Sequence, residues 1–253
     1  MEARKKAQIT LHERLSGEYE IRYGYGFSML FQSFRNEKLI SFLPDASQSV
    51  VLDCGCGVGV LLADLVSRYA SVYGIDISWH MLKQAQSGDF NESELIAGDA
   101  EYIPFEDDFF DAVICRGSLH HVPSVARALA ELRRILKEGG VLVLSEPCND
   151  FLLVRLARKV MYRISDRFEE EDAAFLSDEL ESLVKGAGFT ITEREKFGYF
   201  AYVLAGFPDL LPLLKYVPCN LLITRFLIVL DRILCRIPVL RDLGLHVILA
   251  GRL

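Results

Sequence analysis

The chain has 253 residues, 51% apolar and 25% charged, a globular composition with enough length for one large core. A formal net charge of −7 argues against general nucleic-acid binding, which requires a basic surface. Its cysteines (54, 56, 115, 148, 219 and 235) are scattered without a C-x-x-C pair, so no metal is expected.

Met1 to His12 is polar, unlike a secretory leader, and the reading is a cytoplasmic protein with free thiols. Residues 1–44 form an aromatic-rich helical cap, in which Tyr19 and Tyr23, four apart, share a face. They serve either as packing against the sheet or as a lid over ligand. Strands are predicted at 50–54, Ser71–Ile75, Glu94–Ala97, Asp111–Cys115 and Val141–Ser145. Helices fall between them: about 59–69, then one N-capped by Ser78 and running to Gln86. A third runs from Pro123-Ser124 to Lys137 and stops at Gly139-Gly140. This rhythm specifies a doubly wound α/β sheet, whose ligands sit beyond the strands' carboxyl ends. Ser177 then caps a helix, Phe189–Lys196 alternates as a strand, 205–242 is a long apolar insertion, and His246–Leu253 is a last strand. No linker or repeat divides the chain, so 1–253 reads as a single domain, with a core at 48–147 and substrate-side insertions at 148–176 and 205–242.

The chemistry is concentrated in Asp53-Cys54-Gly55-Cys56-Gly57-Val58-Gly59, between the first strand and a helical pattern. Glycine at every second position leaves room for a nucleotide against the backbone. The dinucleotide pattern G-x-G-x-x-G fails, because its sixth position falls on Val60 or Leu62. Asp76, closing the second strand, suits a ribose, whose two hydroxyls a carboxylate accepts. Asp99 can accept from an adenine amino group while the Ala100 amide donates to a ring nitrogen.

Further segments follow in order: Ala100-Glu101-x-x-Pro104-Phe105, Ser118-Leu119-His120-His121-Val122, and Glu131-Leu132-Arg133-Arg134-Ile135-Leu136-Lys137-x-Gly139-Gly140. Together with the glycine loop, these resemble the class I S-adenosylmethionine (SAM)-dependent methyltransferases of the ubiquinone/menaquinone-biosynthesis type, over roughly residues 48–147. The resemblance implies a Rossmann-like sheet ordered 3-2-1-4-5-7-6 with the last strand antiparallel, and SAM as cofactor. By position, Asp53, Gly55 and Gly57 would line its methionine end, with Cys56 and Gly59 also among the cofactor-binding residues, Asp76 its ribose, and Asp99 and Ala100 its adenine. Ile77 and Met81 would pack on the adenosine, and Cys115 and Arg116 would contact SAM mostly through backbone.

A general base helps methylation of a hydroxyl or acidic carbon, and the candidates near the relevant strand ends are His121, Glu146 and His120, with Tyr19 or Tyr23 near the sulfonium. The expected acceptor is a small molecule, apolar or lipid-linked, and not a nucleic acid. Two basic segments stand out: Arg155, Arg158, Lys159 and Arg163, and Arg225, Arg232 and Arg236 spaced seven and four apart. They read as a solvated helical cap, a homodimer face, or contact with an anionic membrane surface or a lipid-linked substrate. Leu221–Leu240 is nearly long enough to span a bilayer, but its four charged residues argue against that. The rival functions are a non-catalytic SAM-binding scaffold and a nicotinamide-dependent oxidoreductase.

Overall fold

Val50–Cys54 (β1) lies inside a seven-stranded sheet and is buried almost throughout, because helices cover both of its faces. The computed structural model describes residues 5–6, 9–11, 13, 23–88, 92–152, 154–156, 158–159, 174–208 and 211–253; Tyr19 and Arg163 lie outside them. The other strands are β2 Ser71–Asp76, β3 Ser93–Ala97, β4 Phe110–Arg116, β5 Leu136–Pro147, β6 Thr190–Phe197 and β7 His246–Arg252. Their spatial order is 3-2-1-4-5-7-6, as the resemblance implies, with β7 antiparallel to both neighbours.

The described helices are α1 Gly26–Ile40, α2 Leu62–Val66, α3 Trp79–Gln86, α4 Val125–Ile135, α5 Ser177–Gly186, α6 Phe200–Gly206, α7 Asn220–Leu234 and α8 Pro238–Arg241. Strand side chains alternate between two cores. Leu52, Val113, Leu142 and Leu144 pack on one face with Leu129 and Leu132 of α4 and Leu180 of α5. Val51, Ile114, Val141 and Val143 pack on the other with Leu39 of α1, Leu62 and Leu65 of α2, and Leu82 of α3. A third cluster joins Phe27 and Phe31 of α1 to Tyr202 of α6 and Leu227 of α7, forming a helical roof.

Three expectations are corrected. Helix α4 ends at Ile135, not Lys137, because Leu136 turns extended and pairs with Phe110, both fully buried. Ser177 does not cap α5. Its backbone amide donates to Asp150 Oδ1 at 2.9 Å and its hydroxyl donates to Asp150 Oδ2, so the carboxylate comes from outside the helix. Arg158 is turned inward, donating to the carbonyls of Cys148 (2.6 Å) and Leu245 (3.1 Å), and does not join a free basic face. Ser78 and Ser124 cap α3 and α4 as their positions predict. Among the described residues, no helix is long and apolar enough to cross a membrane, and no cluster of His, Cys, Asp and Glu could hold a metal.

Candidate active site

β1 delivers the glycine loop to the carboxyl edge of the sheet, where β2 holds it. The amides of Gly55 (2.8 Å) and Cys56 (3.1 Å) donate to the Ile75 carbonyl. Asp76 uses Oδ2 to accept from Gly57 N (2.9 Å) and Oδ1 to accept from Ser78 N (2.8 Å). A carboxylate has about four acceptor positions, so capacity for a ribose remains. Gly55, at φ +81, has no alternative residue, since a Cβ there would lie 2.3 Å from Ser118 Cβ. Gly57, at φ +55, faces open space. Asp53 is buried, and its Oδ1 is sealed from solvent with no hydrogen-bond partner among the described residues. Burial pushes its carboxyl up to about 7; Arg116 opposes this and Asp76 adds to it.

The ends of β4 and β5 are tied by Glu146, which is fully buried. Its Oε1 accepts from Ser118 N (3.1 Å) and Leu119 N (3.0 Å), while Oε2 binds His120 Nδ1 at 2.7 Å. A carboxylate only accepts, so Nδ1 is the donor in this contact. His121 lies against His120, ring centroids 3.9 Å apart. Ser118 Oγ donates to the Cys54 carbonyl at 2.8 Å, closing the β4 loop onto the glycine loop.

On the adenine side, Asp99 Oδ1 accepts from Glu101 N (2.9 Å), and Lys5 pairs with both Asp99 and Glu101. Burial acts to lower the Lys5 pKa, but the two acids outweigh it and the net shift is upward. Glu101 Oε1 accepts from Ser124 N at 2.6 Å, and Glu131 Oε2 from Ile103 N at 2.9 Å. Arg134 donates to the carbonyls of Ile103 (2.9 Å) and Phe105 (2.8 Å). The Ala100–Phe105 and Glu131–Arg134 motifs are therefore two halves of a clamp that fixes the Asp99 loop on α4.

Residues 52–144 match the family profile described as "Methyltransferase domain". This segment is a class I SAM-dependent methyltransferase domain. The chain is 32% identical over 148 residues to a demethylmenaquinone methyltransferase of Staphylococcus saprophyticus, covering 56% of this chain and 63% of that one. It thus spans less than two thirds of the length of such curated relatives. A SAM-dependent methyltransferase of Thermotoga maritima, described as a possible histamine N-methyltransferase, shares the fold with a TM-score of 0.62 at 20% identity, covering 96% and 98% of the two chains. A [4+2]-cyclase shares it too, with a TM-score of 0.59 at 20% identity over 86% of this chain and 78% of that one.

The residues of the methyltransferase domain fit SAM. The orphaned Asp53 Oδ1 lacks a cationic donor such as an amino-acid ammonium group, and Gly57 leaves the loop surface open. Asp53, Gly55, Cys56, Gly57, Gly59 and Asp76 gather in one loop system, with Ile77 at its edge. Met81 is buried in α3, and its amide donates to Ser78 Oγ at 3.4 Å. Asp99 and Ala100 lie beyond β3, and Cys115 and Arg116 end β4.

The sequence reading missed residues that sit above these strand ends. Arg35 of α1 donates to Ser145 Oγ at 3.1 Å, and burial, with Arg116 nearby, lowers its guanidinium to about 10. Arg116 donates to Gln32 of α1. His246 is buried against the Tyr202 hydroxyl, and burial, then Arg35, Arg158, His120 and Arg116, hold its pKa well below the usual histidine range, so it is neutral. No local pattern marks Arg35, Gln32, Tyr202 or His246, because they meet only through the sheet order.

Proposed function

We propose that the chain transfers the methyl group of SAM to a small, apolar, quinone-like acceptor, with His120 as general base. The observation that carries this reading is the buried Glu146 knot, which holds His120 by Nδ1. When bound, SAM supplies an activated methyl on a sulfonium. Asp53 holds the ammonium end, Asp76 the ribose, and Asp99 with the Ala100 amide the adenine. Glu146 is a positioning residue: with two amides and one imidazole on it, it orients His120 and does not itself take the proton. His120 Nε2 then accepts a proton from a hydroxyl or acidic carbon of the acceptor. The demethylmenaquinone methyltransferase relatives support a quinone-like ring.

The test is transfer of labelled methyl from SAM to a panel of hydroquinones. His120→Ala should lower turnover on the order of 10²–10⁴-fold while binding of S-adenosylhomocysteine (SAH) persists, and His121→Ala should keep most activity. Unchanged turnover and pH profile in His120→Ala would remove the base assignment. The cyclase neighbour favours one second reading, that the fold binds SAM and performs other chemistry. SAH binding without methyl transfer to any acceptor would select it.

A further inference from the structure

Helix α7 has two opposite faces. Thr224, Leu227, Ile228 and Asp231 are buried toward α1 and α6. On the other side Leu222 is 62% exposed, Phe226 65%, Val229 51% and Ile233 52%. Their spacing of four, three and four keeps them in one stripe. Tyr216 (75% exposed) and Val239 (78% exposed) continue the apolar surface before and after the helix. A soluble surface rarely leaves so much contiguous apolar area uncovered.

The charge on this face is predominantly basic, the exposed Asp242 beside Arg241 lying at its end. Lys215, Arg225, Arg232, Arg236 and Arg241 are all exposed. The only acid between residues 211 and 241 is Asp231, which is turned inward and accepts from the amides of Tyr199 (2.9 Å), Phe200 (3.0 Å) and Ala201 (3.1 Å). Arg225 and Arg236 have no acidic partner among the described residues, and Arg232 lies over the Phe34 ring. A two-fold dimer built on this patch would set like charges against each other. An anionic bilayer meets both demands, taking the apolar stripe at its acyl boundary and the arginines at its phosphates.

We propose that α7 and its flanks dock this chain on an anionic membrane surface. A groove of about 1060 Å³ adjoins the face; Phe31, Phe34, Arg35, Arg232 and Arg236 line it together with the acids Glu195 and Asp242. Arg35 reaches Ser145 at the end of β5, beside the proposed methyl-transfer centre. Docking would thus deliver a membrane-dissolved acceptor to the roof of the site; this consequence, unlike the docking itself, rests on the methyl-transfer reading.

The test is co-sedimentation of the full chain with phosphatidylcholine vesicles, with and without phosphatidylglycerol. Binding is expected only with the anionic lipid and should weaken with added salt. Arg225→Glu with Arg236→Glu should weaken binding by about tenfold or more, and Phe226→Ser with Val229→Ser should also weaken it. The SAH-induced rise in melting temperature should stay unchanged in both variants, which shows they are folded. No binding to anionic vesicles, or equal binding by the variants, would overturn the proposal. So would a wild-type dimer that Phe226→Ser dissolves without any vesicle binding. Failure of methyl transfer with vesicle binding intact would count against the enzymatic reading alone.

Discussion

Replacing Asp53 by Asn should stabilise the ligand-free protein at pH 8 and weaken its hold on the cofactor. The carboxyl group is buried with an oxygen that finds no donor among the described residues, and burial pushes its pKa up to about 7 despite Arg116. In the window from about 4 to about 7 the folded state keeps a proton that the unfolded state has released. Stability therefore falls as pH rises through that window, by up to about 1.4 kcal/mol per pH unit. Over roughly three units the cost reaches about 4 kcal/mol at pH 8, as an upper bound. Asn carries no charge and escapes it. The variant should melt above wild type at pH 8, by up to roughly 8–16 °C, and the gap should close toward pH 4. Ligand binding should move the other way. Wild-type affinity for SAH should rise with pH through about 7, as Asp53 ionises to meet the ammonium group. The Asn variant should show no such rise, and should bind about 10–100-fold more weakly at pH 8. Thermal melts and calorimetric titration with SAH at pH 6 and pH 8 provide both readings. A variant that melts below wild type at pH 8, or binds SAH equally well, would refute the assignment.

Two further perturbations separate packing from binding. Gly55→Ala sets a Cβ 2.3 Å from Ser118 Cβ and should lower the melting temperature sharply. Gly57→Ala meets open space, so it should cost only about 1–2 kcal/mol of backbone strain yet block SAH binding. Equal effects on stability would contradict the geometry. Arg134→Ala strips the donors from the Ile103 and Phe105 carbonyls and should cost about 1–3 kcal/mol in a denaturant titration. SAH affinity should fall with it, because the clamp holds the Asp99 loop; unchanged affinity would separate clamp from pocket.

What was legible in the sequence had local causes. β1, β2 and β4 are buried on both faces and so read as short apolar runs, and the alternating glycines and Asp76 stand where a strand-loop-helix unit must place them. The illegible parts depend on partners far along the chain. Glu146 could be named from its strand end, but the positioning role proposed for it needs the amides of Ser118 and Leu119, brought alongside by the parallel register of Arg116 with Ser145. Arg35, Tyr202 and His246 come from elements whose patterns say nothing of one another. Asp150 binds the first α5 amide, that of Ser177, through a contact 27 positions away, in place of a cap by Ser177 itself. Gly139-Gly140 reads locally as a helix stop, but the strand pairing of Leu136 ends the helix at Ile135 and both glycines lie within β5.

The position of β7 has a consequence for synthesis. It follows every other strand in chain order, yet it is inserted between β5 and β6 and hydrogen-bonds both. Until His246–Arg252 leaves the ribosome, β5 and β6 each present a bare edge, the kind of surface that invites pairing with another chain. The sheet therefore closes last, from its interior. A stalled chain lacking these seven residues would hold a complete glycine loop beside a split sheet, prone to aggregate even though its ligand-binding sequence is intact.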